Sequence, residues 1–115
     1  MESTPSNAQA EAKKQKGNAE FKKGNHGAAI AYYTEAIGKL IKNPLSFFFF
    51  IEIQPHETIL SNRAASFIAI KDYKRALDDI KFALRLNPAF TKCYKRLFKA
   101  NLGLGNIDDA NEALR

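Results

Sequence analysis

Lysine, arginine and asparagine side chains recur at helical spacing in three short segments of this sequence. Lys14 stands four residues before Asn18, and Lys92 stands four residues before Arg96. Residues four apart lie on the same face of an α-helix. Together with Asn62, they offer three cations and two amides. Because charged N–H and amide donors bind carboxylates well, this set is suited to holding an acidic peptide end.

These segments occupy matching places in a repeated pair of amphipathic helices. One unit begins at Glu57 and ends at Asn87-Pro88, where the proline stops its second helix. A similar unit begins at Thr91, and the offset, 91 − 57 = 34 residues, is the period of a tetratricopeptide repeat. In such repeats the first helices stack and line a groove. The sequence therefore predicts that the five side chains converge on one surface.

Small and aromatic residues fall where the two helices of each unit would cross closely. They are Ala64, Phe67, Tyr73, Ala76 and Ala83 in the second unit, and Gly17, Ala29, Tyr33 and Ala36 in the first. The pattern predicts an all-α solenoid of three helical hairpins, the last one short. The predicted division is a flexible tail at 1–9, repeat 1 at about 10–42, an insertion at about 43–56, repeat 2 at 57–90 and a truncated repeat 3 at 91–115.

The insertion spaces the first two repeats by 57 − 10 = 47 residues instead of one period. Its phenylalanine-rich run, 45–53, is far shorter than the ~20 residues that span a bilayer. Three interpretations stay open: a lengthened connection packed on the flanking helices, an exposed contact patch for a second protein, or codons of an unspliced intron. The short third repeat similarly indicates either a fragment or a minimal module.

Composition narrows the class of protein. A chain of 115 residues with 45% hydrophobic content fits one soluble domain, and its net charge of +6 favours an acidic partner. The single cysteine, Cys93, excludes an intrachain disulfide and is expected to be a packed thiol. Residues 1–9 lack the basic start and apolar stretch of a secretory signal. We expect a cytoplasmic monomer with no membrane partner.

No catalytic or metal-binding pattern is present in the sequence. His26 and His56 are isolated, without cysteine or histidine at zinc spacing. Gly103-Leu-Gly105 does not continue to a third glycine, so the dinucleotide fingerprint fails, and no phosphate loop occurs. We therefore expect a binding module that is not an enzyme and has no cofactor.

The five spaced residues resemble the carboxylate clamp of the tetratricopeptide domains found in co-chaperones of the stress-inducible, organising-protein type. In that family the clamp is a Lys and an Asn in the first repeat, an Asn in the second, and a Lys and an Arg in the third. KKQKGNAEF supplies Lys14 and Asn18, LSNRAA supplies Asn62, and KCYKR supplies Lys92 and Arg96.

The resemblance implies a ligand and a role for each clamp residue. The ligand would be the acidic Glu-Glu-Val-Asp C-terminal peptide of the seventy- and ninety-kilodalton cytosolic heat-shock chaperones. Lys14, Asn18 and Asn62 would hold its terminal Asp, while Lys92 and Arg96 would engage further acidic or backbone groups. Two departures bear on the geometry of this clamp: the insertion, and the bulky Phe98 at a position that is usually small.

Residues near the predicted clamp have less specific roles. Phe21, Ala65 and Lys99 are candidates for the groove wall, whereas Arg63 and Lys95 are expected to be surface or packing residues. Two other interpretations of the whole chain remain. It could be a basic-groove RNA-binding repeat, although nucleic acid is disfavoured because concave aromatic residues for base stacking are scarce. It could also be a fragment or aberrant gene product without stable function.

Overall fold

A computed structural model describes residues 6–41, 55–106 and 112, and every regular element among them is helical. The helices are α1 (Ser6–Lys22), α2 (His26–Ile41), α3 (Pro55–Ala69), α4 (Tyr73–Leu86) and α5 (Thr91–Gly103). Helix α1 packs against α2, and α3 packs against α4, so that two helical hairpins form. Helix α2 also packs on α3, and α5 packs on both α4 and α3. The predicted all-α hairpin solenoid is confirmed.

Two helix boundaries differ from the sequence-based division. Helix α1 begins at Ser6, so residues 6–9 belong to it and not to the predicted flexible tail at 1–9. Helix α3 begins at Pro55, inside the predicted insertion, because proline is well tolerated in the first turn of a helix. Most of the insertion, residues 43–54, lies outside the described residues. The same is true of the second helix of repeat 3, apart from residue 112.

The first helix of each unit ends in the same left-handed turn. The backbone φ angle is 82° at Gly24, 65° at Lys71 and 81° at Gly105. Glycine reaches this region without steric cost, but a residue with a Cβ atom does not. The turn therefore follows from the glycines in the first and third units, whereas Lys71 adopts it under strain.

Small residues allow the helices to approach closely. The predicted interhelix alanines, Ala29, Ala36, Ala64, Ala76 and Ala83, are all buried. A Cβ atom added at Gly17 would lie 2.6 Å from Cε1 of Tyr33, so the tyrosine ring rests directly on the backbone of α1. Gly103 meets the ring of Tyr73 in the same way. Cys93 is buried in this core, as predicted.

An ion pair between α3 and α4 also reaches α2 and so fastens three helices together. Arg63 donates to both carboxylate oxygens of Asp79, from Nε at 2.8 Å and from Nη2 at 2.6 Å. Its Nη1 donates to Thr34 on α2 at 3.1 Å, and its guanidinium stands over the ring of Phe67. Arg63 is thus a packing residue, one of the two roles expected for it.

No helix within 6–41 and 55–106 is long and apolar enough to cross a bilayer.

Candidate functional site

Three of the five predicted clamp residues line one cavity of about 200 Å³. Asn18 comes from α1, Asn62 from α3 and Arg96 from α5. The other residues that line this cavity are Gln15, Phe21, Lys22 and Tyr33. The docking of the helices therefore brings together predicted clamp side chains that are up to 78 positions apart (96 − 18) in the sequence.

A second cavity of about 350 Å³ adjoins the first, because Phe21 and Arg96 line both. Its remaining lining residues are Ala65, Ile68, Ala69 and Lys99. The three candidate groove-wall residues, Phe21, Ala65 and Lys99, are thus among the residues that line this second cavity. We call the two cavities together the groove.

The two predicted clamp lysines stand outside the lining of the groove. Lys14 lies one turn before Asn18, and its Nζ is 3.5 Å from a carboxylate oxygen of Glu11, with 16% of the side chain exposed. Lys92 is exposed on α5, one turn before Arg96, and takes part in no ion pair among the described residues. Both lysines therefore stand near the groove but do not form its floor.

The amide of Asn18 is fixed by two donors. The Tyr33 hydroxyl donates to Oδ1 of Asn18 at 2.6 Å, and Nδ2 of Asn62 donates to the same oxygen at 3.2 Å. Tyr33 is only 1% exposed, and its burial raises the pKa of the hydroxyl, which stays protonated. Because both bonds use the oxygen, the Nδ2 group is the part of Asn18 that can donate to a ligand.

Arg96 is a partly buried cation that has no counter-ion among the described residues. It takes part in none of the ion pairs within 6–41 and 55–106, and its Nη1 donates instead to the hydroxyl of Ser61. Burial lowers the pKa of Arg96, and only Cys93 and Tyr33 oppose that effect. Arg96 stays charged nonetheless, because a guanidinium is not deprotonated in proteins. The groove therefore holds a desolvated positive charge that an anion would stabilise.

Two residues that matter for this arrangement are not among the predicted site residues. Tyr33 is assigned to the interhelix core by its position, and its ring does pack there, but its hydroxyl reaches the site. Ser61 is fully buried and contacts Arg96. For Ser61 the sequence offers one signal, which is its position directly before the predicted clamp residue Asn62.

Among the described residues, no three side chains of His, Cys, Asp or Glu come together as metal ligands.

Helical hairpins with a 34-residue period and a groove lined by their first helices define a tetratricopeptide-repeat domain. The comparisons with known proteins agree, although no family model matches the sequence. The chain is 34% identical over 97 residues to heat shock protein STI1 of Saccharomyces cerevisiae. That alignment covers 84% of this chain and 14% of STI1. The chain therefore spans only a small part of the relatives it matches.

Solved structures extend the match to domains with bound peptides. The second TPR domain of Spaghetti (RPAP3), bound to the HSP90 peptide SRMEEVD, is 26% identical with a TM-score of 0.76. That match covers 92% of this chain and 81% of the other. The second TPR domain of human RPAP3, in complex with the HSP70 peptide SGPTIEEVD, is 26% identical with a TM-score of 0.77, covering 94% and 79%. The chain is a tetratricopeptide-repeat domain, and the proteins it is similar to include such domains of co-chaperones.

Proposed function

We propose that this domain is a cytoplasmic adaptor that binds the Glu-Glu-Val-Asp tail of the seventy- and ninety-kilodalton heat-shock chaperones, without catalysis of its own. Structural neighbours have been solved with peptides of this kind, SRMEEVD from HSP90 and SGPTIEEVD from HSP70. In this chain, the observation that supports the proposal is the environment of Arg96. It is a partly buried guanidinium that lines the groove beside two amides and has no carboxylate partner in the described part of the chain.

The clamp divides the peptide between two ends of the groove. Asn18 and Asn62 hold the terminal Asp through their amides, with Lys14 closing over it. The pair between Lys14 and Glu11 is no obstacle, because its atoms are 3.5 Å apart and Glu11 is 45% exposed, and ion pairs at the surface contribute only about 0–1 kcal/mol. Arg96 and the exposed Lys92 engage the acidic and backbone groups further from the terminus. Charged hydrogen bonds of about 1.5–3 kcal/mol each then support micromolar affinity after ordering costs.

The groove is better suited to a peptide than to single-stranded RNA. Two of its lining residues, Phe21 and Tyr33, are aromatic. Tyr33 is buried, and the ring of Phe21 packs edge-on against His26, with centroids 5.0 Å apart. Base stacking along a strand needs several accessible ring faces, and among the described groove residues only Phe21 could offer one. Cations and amides supply the chemistry of the groove, and carboxylates are their natural ligands.

Removal of the unpaired cation tests this function. We expect Arg96→Ala to weaken binding of an acid-terminated Glu-Glu-Val-Asp peptide at least tenfold in a calorimetric titration, because tenfold corresponds to about 1.4 kcal/mol and a charged hydrogen bond contributes more. Lys14→Ala and Asn62→Ala should each weaken binding while helicity, measured by circular dichroism, stays intact. Arg85→Ala is the matched control, since Arg85 is exposed on α4 and stands over Phe82, away from the groove. Equal losses in the Arg96 and Arg85 variants would contradict the proposal.

A further inference from the structure

We propose that Tyr33 is a positioning residue for the peptide carboxylate: its buried hydroxyl fixes the amide of Asn18 so that Nδ2 faces the ligand. This inference rests on the proposed function. It adds a role for a side chain whose ring belongs to the core between α1 and α2. Tyr33 itself does not need to touch the peptide, because it acts through Asn18.

The hydrogen bonds leave the amide with one orientation. An asparagine amide has an acceptor on one side and a donor group on the other, and rotation by half a turn exchanges them. Tyr33 and Asn62 both donate to the side that holds Oδ1, at 2.6 and 3.2 Å. The flipped amide would turn its own N–H groups toward the donor group of Asn62. The two donors therefore hold the Nδ2 group on the remaining side, where it can donate to a carboxylate.

Tyr33 is rigid enough to impose this orientation. The side chain is 1% exposed, and its ring lies against the backbone of α1 at Gly17, where a Cβ atom would come within 2.6 Å of Cε1. The fully buried Ala29 and Ala36 lie on the same helix and in the same cluster. Because the hydroxyl is already in place before a peptide arrives, binding does not have to order the amide. Such preorganisation improves affinity by reducing the entropy lost on association.

The same hydroxyl links the first two repeats. Tyr33 lies on α2, Asn18 on α1 and Asn62 on α3, so the chain of hydrogen bonds runs from the core of repeat 1 to repeat 2. The two asparagines of the clamp thus acquire their relative position from a contact inside the fold. Loss of the hydroxyl should leave the helices packed but free the Asn18 amide to rotate.

The test is Tyr33→Phe, which removes the hydroxyl and keeps the ring. Calorimetric titration with a Glu-Glu-Val-Asp peptide is expected to show a loss of about 3–10-fold for the acid-terminated form, as for one hydrogen bond. The loss should be smaller for the amidated form, so that the ratio between the two affinities falls. A purely structural role for Tyr33 would weaken both forms equally. The matched control is Tyr32→Phe, since Tyr32 stacks under Lys13 and Lys16 and does not line the groove.

A double variant distinguishes positioning from a fold defect. In an Asn18→Ala background, Tyr33→Phe should cause no further loss, because the amide that it orients is absent. Unchanged binding of the acid form by Tyr33→Phe would overturn this inference alone, and so would an additional loss in the Asn18→Ala background. Failure of the unmodified chain to bind the acid-terminated peptide would overturn the proposed function and this inference with it.

Discussion

The site depends on how single side chains are held as much as on which ones are present. Arg96 reaches the groove with one of its nitrogens bound to the hydroxyl of Ser61, a fully buried residue on α3. Cys93 lies next to this pair, and the hydroxyl of Ser61 offsets part of the rise that burial causes in the pKa of the Cys93 thiol. The position of Arg96 in the groove is therefore set by a short polar network that includes Ser61 and Cys93.

Ser61→Ala should weaken peptide binding because Arg96 loses its fixed partner. We expect a loss of about 3–10-fold in affinity for the acid-terminated peptide, the effect of one hydrogen bond, measured by calorimetry. Ser66→Ala is the control, since Ser66 is equally buried on the same helix but faces His26 at 3.5 Å. If both serine variants bind the peptide as the unmodified chain does, Ser61 has no part in positioning Arg96.

Spacing in the sequence predicted five clamp positions, but it did not show how their side chains are held. Asn18, Asn62 and Arg96 do line the groove together, because their places in the repeat follow from its period. The roles of Tyr33 and Ser61 depend on how neighbouring repeats dock, and that depends on the exact distance between helices. A periodic sequence pattern does not specify the distance between two packed helices. The two lysines differ again: Lys14 lies beside Glu11 and Lys92 is exposed, and neither environment follows from the period of the repeat.

At the level of the helices, a Cβ atom should have opposite effects on stability at two glycine positions of repeat 1. A Cβ atom at Gly17 would meet the ring of Tyr33 at 2.6 Å, whereas one at Gly38 on α2 would have no atom within 4 Å. Gly17→Ala should lower the free energy of unfolding by about 1–2 kcal/mol, since overpacking outweighs the gain in helix propensity. Gly38→Ala should raise it by about 0.5–1 kcal/mol. Urea denaturation of the two variants tests this, and a stabilised Gly17→Ala would contradict the close packing of α1 on α2.

The turn between α3 and α4 offers a second test at this level. Lys71 has a φ angle of 65°, and the equivalent residues of the first and third units are Gly24 and Gly105. Left-handed backbone costs a residue with a Cβ atom about 1–2 kcal/mol, so Lys71→Gly should stabilise the domain by about 0.5–1 kcal/mol. The expected rise in the midpoint of thermal unfolding is about 2–8 °C. Gly24→Ala should lower that midpoint, and a rise there or a fall for Lys71→Gly would show that the turn is not left-handed.

At the level of the whole molecule, Arg63 connects the two hairpins. Its partner Asp79 is 5% exposed, and burial raises the pKa of that carboxyl even though the hydrogen bonds from Arg63 lower it. Arg63→Ala would leave a buried carboxylate unpaired, which typically costs 3–5 kcal/mol. Arg75→Ala is the control, because Arg75 is 73% exposed in its pair with Asp72 and such pairs contribute about 0–1 kcal/mol.

The pH dependence of the Arg63→Ala variant follows from the same carboxyl. Without Arg63, nothing opposes the rise in the pKa of Asp79 that burial causes, so the folded variant binds a proton more tightly than the unfolded chain. Its stability should therefore fall as the pH rises through the folded-state pKa, and the deficit should shrink toward acidic pH. Chemical denaturation across the acidic range measures this. A deficit that does not vary with pH would show that Asp79 is not the cause.

The sequence predicted the architecture of the molecule better than its boundaries. A period of 91 − 57 = 34 residues and alanines at fixed places are enough to specify stacked hairpins, because each hairpin buries its apolar face only on the next. Helices α1 and α3 begin a few residues before the predicted repeat starts at about 10 and at 57, since helix ends depend on capping and on neighbouring contacts as well as on periodicity. The interpretations of residues 43–54 and of the second helix of repeat 3 remain predictions.

The central claim is that the groove recognises a terminal carboxylate, and one pair of titrations tests it most directly. The unmodified chain is titrated by calorimetry with a Glu-Glu-Val-Asp peptide that ends in a free acid and with the same peptide ending in an amide. The clamp predicts micromolar affinity for the acid and at least tenfold weaker binding of the amide, because the amide lacks the charge that Asn18, Asn62 and Lys14 hold. Equal affinity for the two peptides would contradict the clamp.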